Sequence, residues 1–321
     1  MFKIFNVFLV INLIEMKKYS GSFSYPKITI ITPSFNQGLY LERTIKSVLD
    51  QNYPDLEYII IDGKSSDQSL NIIKKYEPYL ANWESKTDSG PADALNKGFS
   101  FSSGEIMGWL NADDIYLNNT LKIVGQIFYD HPHIDWITSG TIHISENDKF
   151  FMLSSSRKWF TRWSQIFLRS IPPQQCTFWR RSLWERAGAY LDKSTRFMDC
   201  ELWLRFYSYA DLYLVDSVFG AWRLYEDAYS IKNIDSFYAQ IDEIHKRFLK
   251  SYQKIHSFMK IMLPFLRFYY KIIDRKILNR LFFELFIRRH RLLSYDLNSQ
   301  RFRVRKPKGL LPKPWPQEFL D

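Results

Sequence analysis

With 321 residues, 46% hydrophobic and 24% charged, the chain is long enough to bury its own core and falls outside the disordered, collagenous and coiled-coil classes. Two cysteines, Cys176 and Cys200, exclude a disulfide framework and suit a reducing cytoplasmic compartment. The formal charge of +10 is uneven: residues 245–321 carry 19 Lys and Arg against 5 Asp and Glu, and the rest 25 against 29, so a near-neutral body bears a basic tail.

The N-terminus, MFKIFNVFLVINLIEMKKYS, holds an apolar run from Ile4 to Ile14 broken by Asn6 and Asn12. The run is too short to span a bilayer as a helix, and no small-residue cleavage site follows it. It reads as a marginal anchor or, the preferred reading, as an extension ahead of a start at Met16. Lys27–Thr32 (KITIIT) is a buried strand ending at Pro33. Leu41, Ile45, Val48 and Leu49 mark one face of a helix. Glu57–Asp62 (EYIIID) is a second strand, and the following turn, Gly63-Lys64-Ser65-Ser66-Asp67, offers caps to a helix with inner residues Ile72, Ile73, Tyr76 and Leu80. Ile106–Leu110 is a further strand, breaking off into Asn111-Ala112-Asp113-Asp114. This alternation predicts an α/β fold with a mainly parallel sheet.

Toward the C-terminus, Phe265, Phe268, Tyr269, Ile272, Ile273, Leu278, Leu281, Phe282 and Leu285 recur at three- and four-residue steps, with Arg267, Lys271, Arg275 and Arg288 between them. The pattern predicts an amphipathic helix, lying on an anionic membrane surface or packed on the body with its charges in water. From Arg301 to Pro316, six basic residues and four prolines predict an extended or disordered stretch.

In open parallel sheets ligands bind beyond the carboxyl ends of the strands. Those ends carry Thr32-Pro33-Ser34-Phe35-Asn36, Asp62-Gly63 and Asn111-Ala112-Asp113-Asp114. The chain has no GxGxxG after the first strand and no GxxxxGK[ST], which argues against a dinucleotide-binding domain and a P-loop. Asp113 and Asp114 together suit a hard divalent cation, which takes one or two carboxylates alongside substrate phosphates; a helix-capping turn before Leu117 is the competing reading.

The order of the pieces decides between them. TPSFN, IDGKSSD, DSGPADALNKG, SSGEIMGWLNADD, QQCTFWRRSLWERAG and MDCELWLRF, spread over roughly residues 26–230, resemble family 2 glycosyltransferases, GT-A-fold enzymes that use nucleotide-sugars. The resemblance is nearest to bacterial members with WLN-x-DD that build surface polysaccharide. It implies a GT-A domain over 26–244, an N-terminal extension over 1–25 and a basic, aromatic, helical tail over 245–321. It further implies that Thr32, Pro33, Ser34 and Asn36 line the nucleotide pocket, that Asp62 faces the base, and that Asp88, Asp93 and Lys97 border the donor sugar and diphosphate. Asn111, Ala112 and Asp113 stand at the DxD motif, with Asp113 as ligand of Mg²⁺ or Mn²⁺ and Asp114 assisting. Asp199 stands at the general base. Gln175 and Trp203 fall on the acceptor side, while Glu201 is expected to be structural. The chain departs from the pattern at Asn111 for the first acid of DxD, Leu95 for an arginine, Met198 for the glutamate beside the base, and Tyr225 for a histidine.

The expected activity is inverting, metal-dependent transfer of a sugar from a nucleotide-sugar to a hydroxyl of a growing, lipid-linked cell-surface glycan such as lipopolysaccharide. The expected place is the cytoplasm, peripheral to the inner face of the membrane through the tail, with no nucleic-acid partner. A sugar nucleotidyltransferase, and a glycan-binding relative without activity, are the alternatives; the first lacks its Gly- and Lys-rich phosphate loop here.

Overall fold

A computed structural model describes residues 25–154, 162, 165–166, 170–226, 228, 234–250, 291–296, 299 and 301–305. In chain order its first half comprises β1 (Ile28–Ser34), α1 (Leu41–Leu49), β2 (Leu56–Asp62), α2 (Ser69–Tyr76), β3 (Asn82–Ser85), α3 (Pro91–Phe101), β4 (Ile106–Trp109), β5 (Ile115–Tyr116) and α4 (Thr120–Asp130). There follow β6 (Trp136–Ile144), β7 (Phe150–Ser154), β8 (Thr177–Arg180), α5 (Arg181–Arg186), α6 (Met198–Phe206), β9 (Tyr213–Arg223), α7 (Ile234–Lys250), β10 (Arg291–Asp296) and β11 (Arg301–Arg305). The sheet order among the described residues is β11-β10-β9-β6-β8-β4-β1-β2-β3, with β7 on β6 and β5 on β9.

β3, β2, β1 and β4 are parallel, as their helical crossovers require. Ser34 pairs opposite Asp62, so β1 and β2 end level and their loops lie side by side. Beyond β4 the sheet is mixed. β8 runs antiparallel to both β4 and β6, while β6 and β9 are parallel. β6 turns into β7 through a tight hairpin over 145–149, a connection open only to antiparallel strands.

Strand alternation sorts the core. Ile28, Ile30, Tyr58 and Ile60 face α1, α2 and α4, while Ile31, Ile59, Ile61 and Met107 face α3, α5 and α6. α1 buries Leu41, Ile45 and Val48, the stripe that the sequence spacing predicts, and each fully buried isoleucine or leucine contributes roughly 1.5–3 kcal/mol. α3 lies so close to β1 that a Cβ on Gly98 would sit 2.7 Å from Ile31 Cγ2, so the glycine in the Asn96-Lys97-Gly98 motif has a packing cause. Trp109, Trp136, Trp179 and Trp203 form a buried cluster; the Trp109 and Trp203 rings stack at 5.7 Å.

α7 crosses the expected boundary at residue 244 and packs Ile241 and Ile244 against Phe197, Cys200 and Leu204. Within the expected helical tail, β10 pairs parallel with β9 and β11 antiparallel with β10, burying Leu293 and Phe302. Arg301–Arg305 is therefore extended because it is a sheet strand. The amphipathic segment 257–290 and the apolar run 4–14 lie outside the described residues. No helix among the described residues is long and apolar enough to cross a membrane.

Candidate active site

A cavity of about 910 Å³ opens beyond the carboxyl ends of the strands. One wall is formed by Pro33 and Ser34 at the end of β1, Phe35 directly after it and Gly63 directly after β2, continued by Asp88, Ser89 and Gly90 ahead of α3. Residues 111–114, following β4, form a second side. Thr141 and His143 of β6, with Gln175, form a third, and Met198 and Asp199 at the start of α6 a fourth. Ser34 Oγ is buried without a hydrogen-bond partner among the described residues and borders this space, where a ligand could engage it.

The two adjacent carboxylates are held by the end of β9. The pairing of Ile115 with Ala221 brings that strand alongside residues 113 and 114. Arg223 N donates to Asp114 Oδ1 at 3.0 Å, Arg223 Nε to the Asp113 carbonyl at 2.8 Å, and the Tyr225 hydroxyl to Asp113 Oδ2 at 2.8 Å. Arg223 is itself fully buried. Its guanidinium donates to the carbonyls of Ser145 and Glu146, pairs with Asp148 at 2.5 Å and lies 4.9 Å from the centre of the Tyr40 ring. Neither carboxylate caps α4, which begins later, at Thr120. Burial raises the pKa of Asp113, and burial together with the Asp113 charge raises Asp114 well above the usual carboxylate range. Two adjacent carboxylates therefore share one guanidinium that is itself paired with Asp148, which leaves the corner with a deficit of positive charge.

A divalent cation fits that deficit. No cluster of three or more His, Cys, Asp or Glu side chains suited to a metal occurs among the described residues, so this is not a closed protein cage. Asp113, with Asp114 behind it, matches a Mg²⁺- or Mn²⁺-type ion that takes one or two carboxylates and completes its shell with phosphate and water.

Asp199 is the second residue of α6 and partly buried. Burial pushes its pKa up to about 6, against the opposing effect of nearby backbone N–H groups. Glu201 points elsewhere, accepting Arg205 Nε on both oxygens at 2.8 and 2.9 Å, the structural role expected of it. Met198 brings a thioether to the wall beside Asp199.

The other predicted residues divide sharply. Pro33, Ser34, Asp88, Asn111, Ala112 and Gln175 border the cavity. Thr32 does not: its side chain is fully buried, with Oγ1 3.0 Å from the Tyr58 hydroxyl. Asn36 adopts a left-handed backbone at φ 52° and ties two loops together, its N–H donating to Ser65 Oγ and its Oδ1 accepting Ser66 N–H. Asp62 is wholly buried and accepts Ser65 N–H at 2.9 Å, Ser65 Oγ at 2.5 Å and Ser85 Oγ at 2.6 Å. Its oxygens are engaged by its own loops, away from the cavity lining. Asp93 pairs with Lys193 at 2.5 Å and accepts Ser89 N–H and Oγ; the Lys193 partner holds its pKa down, at about 2. Lys97 pairs with Glu84, off the cavity. Gln175 Nε2 donates to Thr141 Oγ1 at 2.8 Å. Trp203 has no exposed face to offer a sugar, because the tryptophan cluster encloses it.

Sequence reasoning missed Arg223, His143, Trp222 and Arg196. Arg223 carries the one available signal, a cation closing the apolar run VFGAW. The ring of His143 lies 5.2 Å from that of Trp222 and both reach the cavity, an adjacency created by the β6–β9 register.

The family model for glycosyl transferase family 2 matches residues 29–212. A PGL/p-HBAD biosynthesis glycosyltransferase of Mycobacterium bovis is 30% identical over 172 residues, covering 51% of this chain and 63% of the relative. An uncharacterized glycosyltransferase of Mycobacterium tuberculosis is 40% identical over 92 residues, covering 28% of this chain and 35% of the relative. The chain thus spans between about a third and under two thirds of these relatives' length. Among solved structures, S. aureus TarS in complex with UDP superposes with a TM-score of 0.53 at 20% identity over 70% of each chain. The mannosyltransferase PcManGT of Pyrobaculum calidifontis, in complex with GDP-Man and Mn²⁺, superposes at 0.52 and 19% identity over 66% of this chain and 61% of that one. At such identity the likeness is one of fold. With the family model spanning more than half of its residues, the chain belongs to glycosyl transferase family 2 and has the GT-A type of α/β fold.

Proposed function

We propose that the protein is an inverting, metal-dependent glycosyltransferase that moves a sugar from a nucleotide-sugar to a hydroxyl of a lipid-linked surface glycan. The observation that carries this reading is that the Asp113–Asp114 corner and the Asp199 carboxylate open onto one cavity from different sides. In this mechanism Asp199 accepts the proton of the acceptor hydroxyl as its oxygen attacks the anomeric carbon. The bond from that carbon to the diphosphate breaks on the opposite face, nucleoside diphosphate leaves, and the single displacement inverts the centre. A pKa of about 6 suits this role: the carboxylate is ionised at neutral pH and more basic than an exposed aspartate. When bound, a divalent metal at Asp113 and Asp114 supplies neutralisation of the charge developing on the diphosphate. Ser34 and Asp88 border the donor.

The donor class is supported by neighbours solved with UDP, UDP-GlcNAc and GDP-Man. For the acceptor, we place the enzyme at the cytoplasmic face of the membrane, its 19 basic residues over 245–321 drawn to anionic headgroups.

The test is a panel of UDP-, GDP- and dTDP-sugars with Mn²⁺ or Mg²⁺ and a glycan acceptor. The expected result is release of nucleoside diphosphate that stops on adding EDTA, together with a higher melting temperature in the presence of the matching nucleoside diphosphate. Release of pyrophosphate would instead identify a nucleotidyltransferase. Neither release nor stabilisation would leave a binding protein.

A further inference from the structure

The Tyr225 hydroxyl does two things at once. It donates to Asp113 Oδ2 at 2.8 Å, and it receives Gln37 Nε2 at 3.4 Å. Gln37 belongs to the loop after β1 and itself borders the cavity. The Tyr225 ring cannot drift freely, because it packs at 4.9 Å on Tyr40, whose ring is also in contact with the Arg223 guanidinium. Tyr40 immediately precedes α1. A single side chain therefore joins the loop that faces the donor to the carboxylate expected to meet the cation.

Resting on the metal-dependent reading above, we propose that Tyr225 is a positioning residue that presents Asp113 to its cation through one oxygen. The charge-assisted hydrogen bond occupies one acceptor site of Oδ2 and fixes the rotation of the carboxylate, which favours Oδ1 as the oxygen that meets the ion. A carboxylate held this way suits the small octahedral shell of Mg²⁺ or Mn²⁺. It is poorly suited to Ca²⁺, which takes six to eight oxygens and often binds carboxylates through both. Tyr225 accordingly sets cation choice as well as affinity. Because Gln37 shares the same hydroxyl, ordering of the β1 loop by a nucleotide and ordering of Asp113 by a cation reinforce each other.

The experiment uses the full chain and the variant Tyr225→Phe, which keeps the ring and its packing on Tyr40 and removes only the hydroxyl. Mn²⁺ uptake is followed by the loss of its free-ion electron paramagnetic resonance signal, with and without UDP, GDP or dTDP, and Ca²⁺ is added as competitor. The metal-free melting temperature is expected to fall slightly, since the hydrogen bond to Asp113 is made without metal, while the nucleotide affinity without metal is expected to stay as in the wild type. Nucleotide-dependent Mn²⁺ binding is expected to weaken on the order of tenfold, the loss of one hydrogen bond to a charged group, and Ca²⁺ is expected to compete more effectively. Unchanged Mn²⁺ affinity and unchanged discrimination against Ca²⁺ would overturn the assignment alone, reducing Tyr225 to a packing residue. So would equal losses in metal-free stability and metal-free nucleotide binding. No Mn²⁺ uptake by the wild type with any of the three nucleotides would overturn the metal-dependent reading, and the assignment with it.

Discussion

At the amino ends of β1 and β2, Glu57 is buried to 8% exposure, whereas the carboxyl ends of the strands gather Asp113, Asp114 and, from α6, Asp199. Burial pushes all four upward in pKa. Around Glu57 the protein outweighs it: Thr29 Oγ1, Ser103 N–H and Oγ, and Gly104 N–H donate to the carboxylate, Lys27 lies 3.3 Å away, and the pKa falls to about 2. At the other end burial prevails, and Asp113, Asp114 and Asp199 are all raised. One sheet thus carries a satisfied carboxylate, Glu57, at its base, while at its rim the engaged Asp62 stands beside carboxylates whose burial is not offset. The difference separates a staple from a candidate site: buried carboxylates with too few donors are the ones chemically suited to receive a cation or a transferable proton.

The largest effect that can break this comparison is expected at Asp199. Asp199→Asn removes the proton acceptor and should lower the transfer rate by roughly 10²–10⁴-fold, with nucleoside diphosphate affinity retained in a calorimetric titration. In the wild type, transfer should fall as pH drops through about 6, and the variant's residual rate should lack that limb. Linkage gives a second readout. A carboxyl raised in the folded state lowers stability as pH rises from the unfolded value of 3.8 to about 6, and the cost persists above. Asp199→Asn should therefore melt higher than the wild type at pH 7. Full turnover by the variant would remove Asp199 from the chemistry.

Glu57→Gln should do the reverse. Its folded pKa is depressed, so its contribution is present above the unfolded value of 4.5 and disappears as pH falls toward about 2. At neutral pH the substitution should cost roughly 3 kcal/mol in urea unfolding, and the difference from the wild type should vanish near pH 2. Donor affinity should be unchanged. A change in donor affinity with intact stability would contradict the division between base and rim.

Much of this division was legible from residue types and spacing. The apolar runs gave β1, β2 and β4 to within a residue or two, the stripe Leu41, Ile45 and Val48 gave α1, and the order of motifs pointed to residues 111–114 and Asp199. What spacing did not carry was the orientation and commitment of each polar group. Thr32 alternates with Pro33, and one residue of register separates a buried hydroxyl from a cavity wall. Asp62 stands at a strand end, yet Ser65 and Ser85 occupy its oxygens. The hold on Asp113 and Asp114 comes from residues 109 to 112 positions away. It exists only because the end of β9 pairs with β5 directly after residues 113 and 114, a pairing that no local pattern announces. The basic stretch after residue 290 likewise conceals two strands, whose edge position tolerates exposed arginines beside buried Leu293 and Phe302.

The smallest expected effect sharpens the comparison on the question of cations. Arg196 is the one permanent cation among the described residues bordering the cavity. Gly90, at φ 119°, gives its guanidinium room: a Cβ there would lie 3.1 Å from Arg196 Nη1. Lys97 is engaged by Glu84 and points away from the lining. If the diphosphate meets a protein cation directly, geometry therefore favours Arg196. Arg196→Ala should weaken nucleoside diphosphate binding on the order of tenfold, as expected for losing a hydrogen bond to a charged group. Lys97→Ala should change it by less than about twofold, since an exposed ion pair contributes little. Both are read by calorimetric titration at two salt concentrations, where loss of a direct charge contact also flattens the salt dependence. The opposite ranking would require α3 to turn Lys97 inward on binding, and the division between rim and scaffold drawn from this conformation would then not hold for the complex.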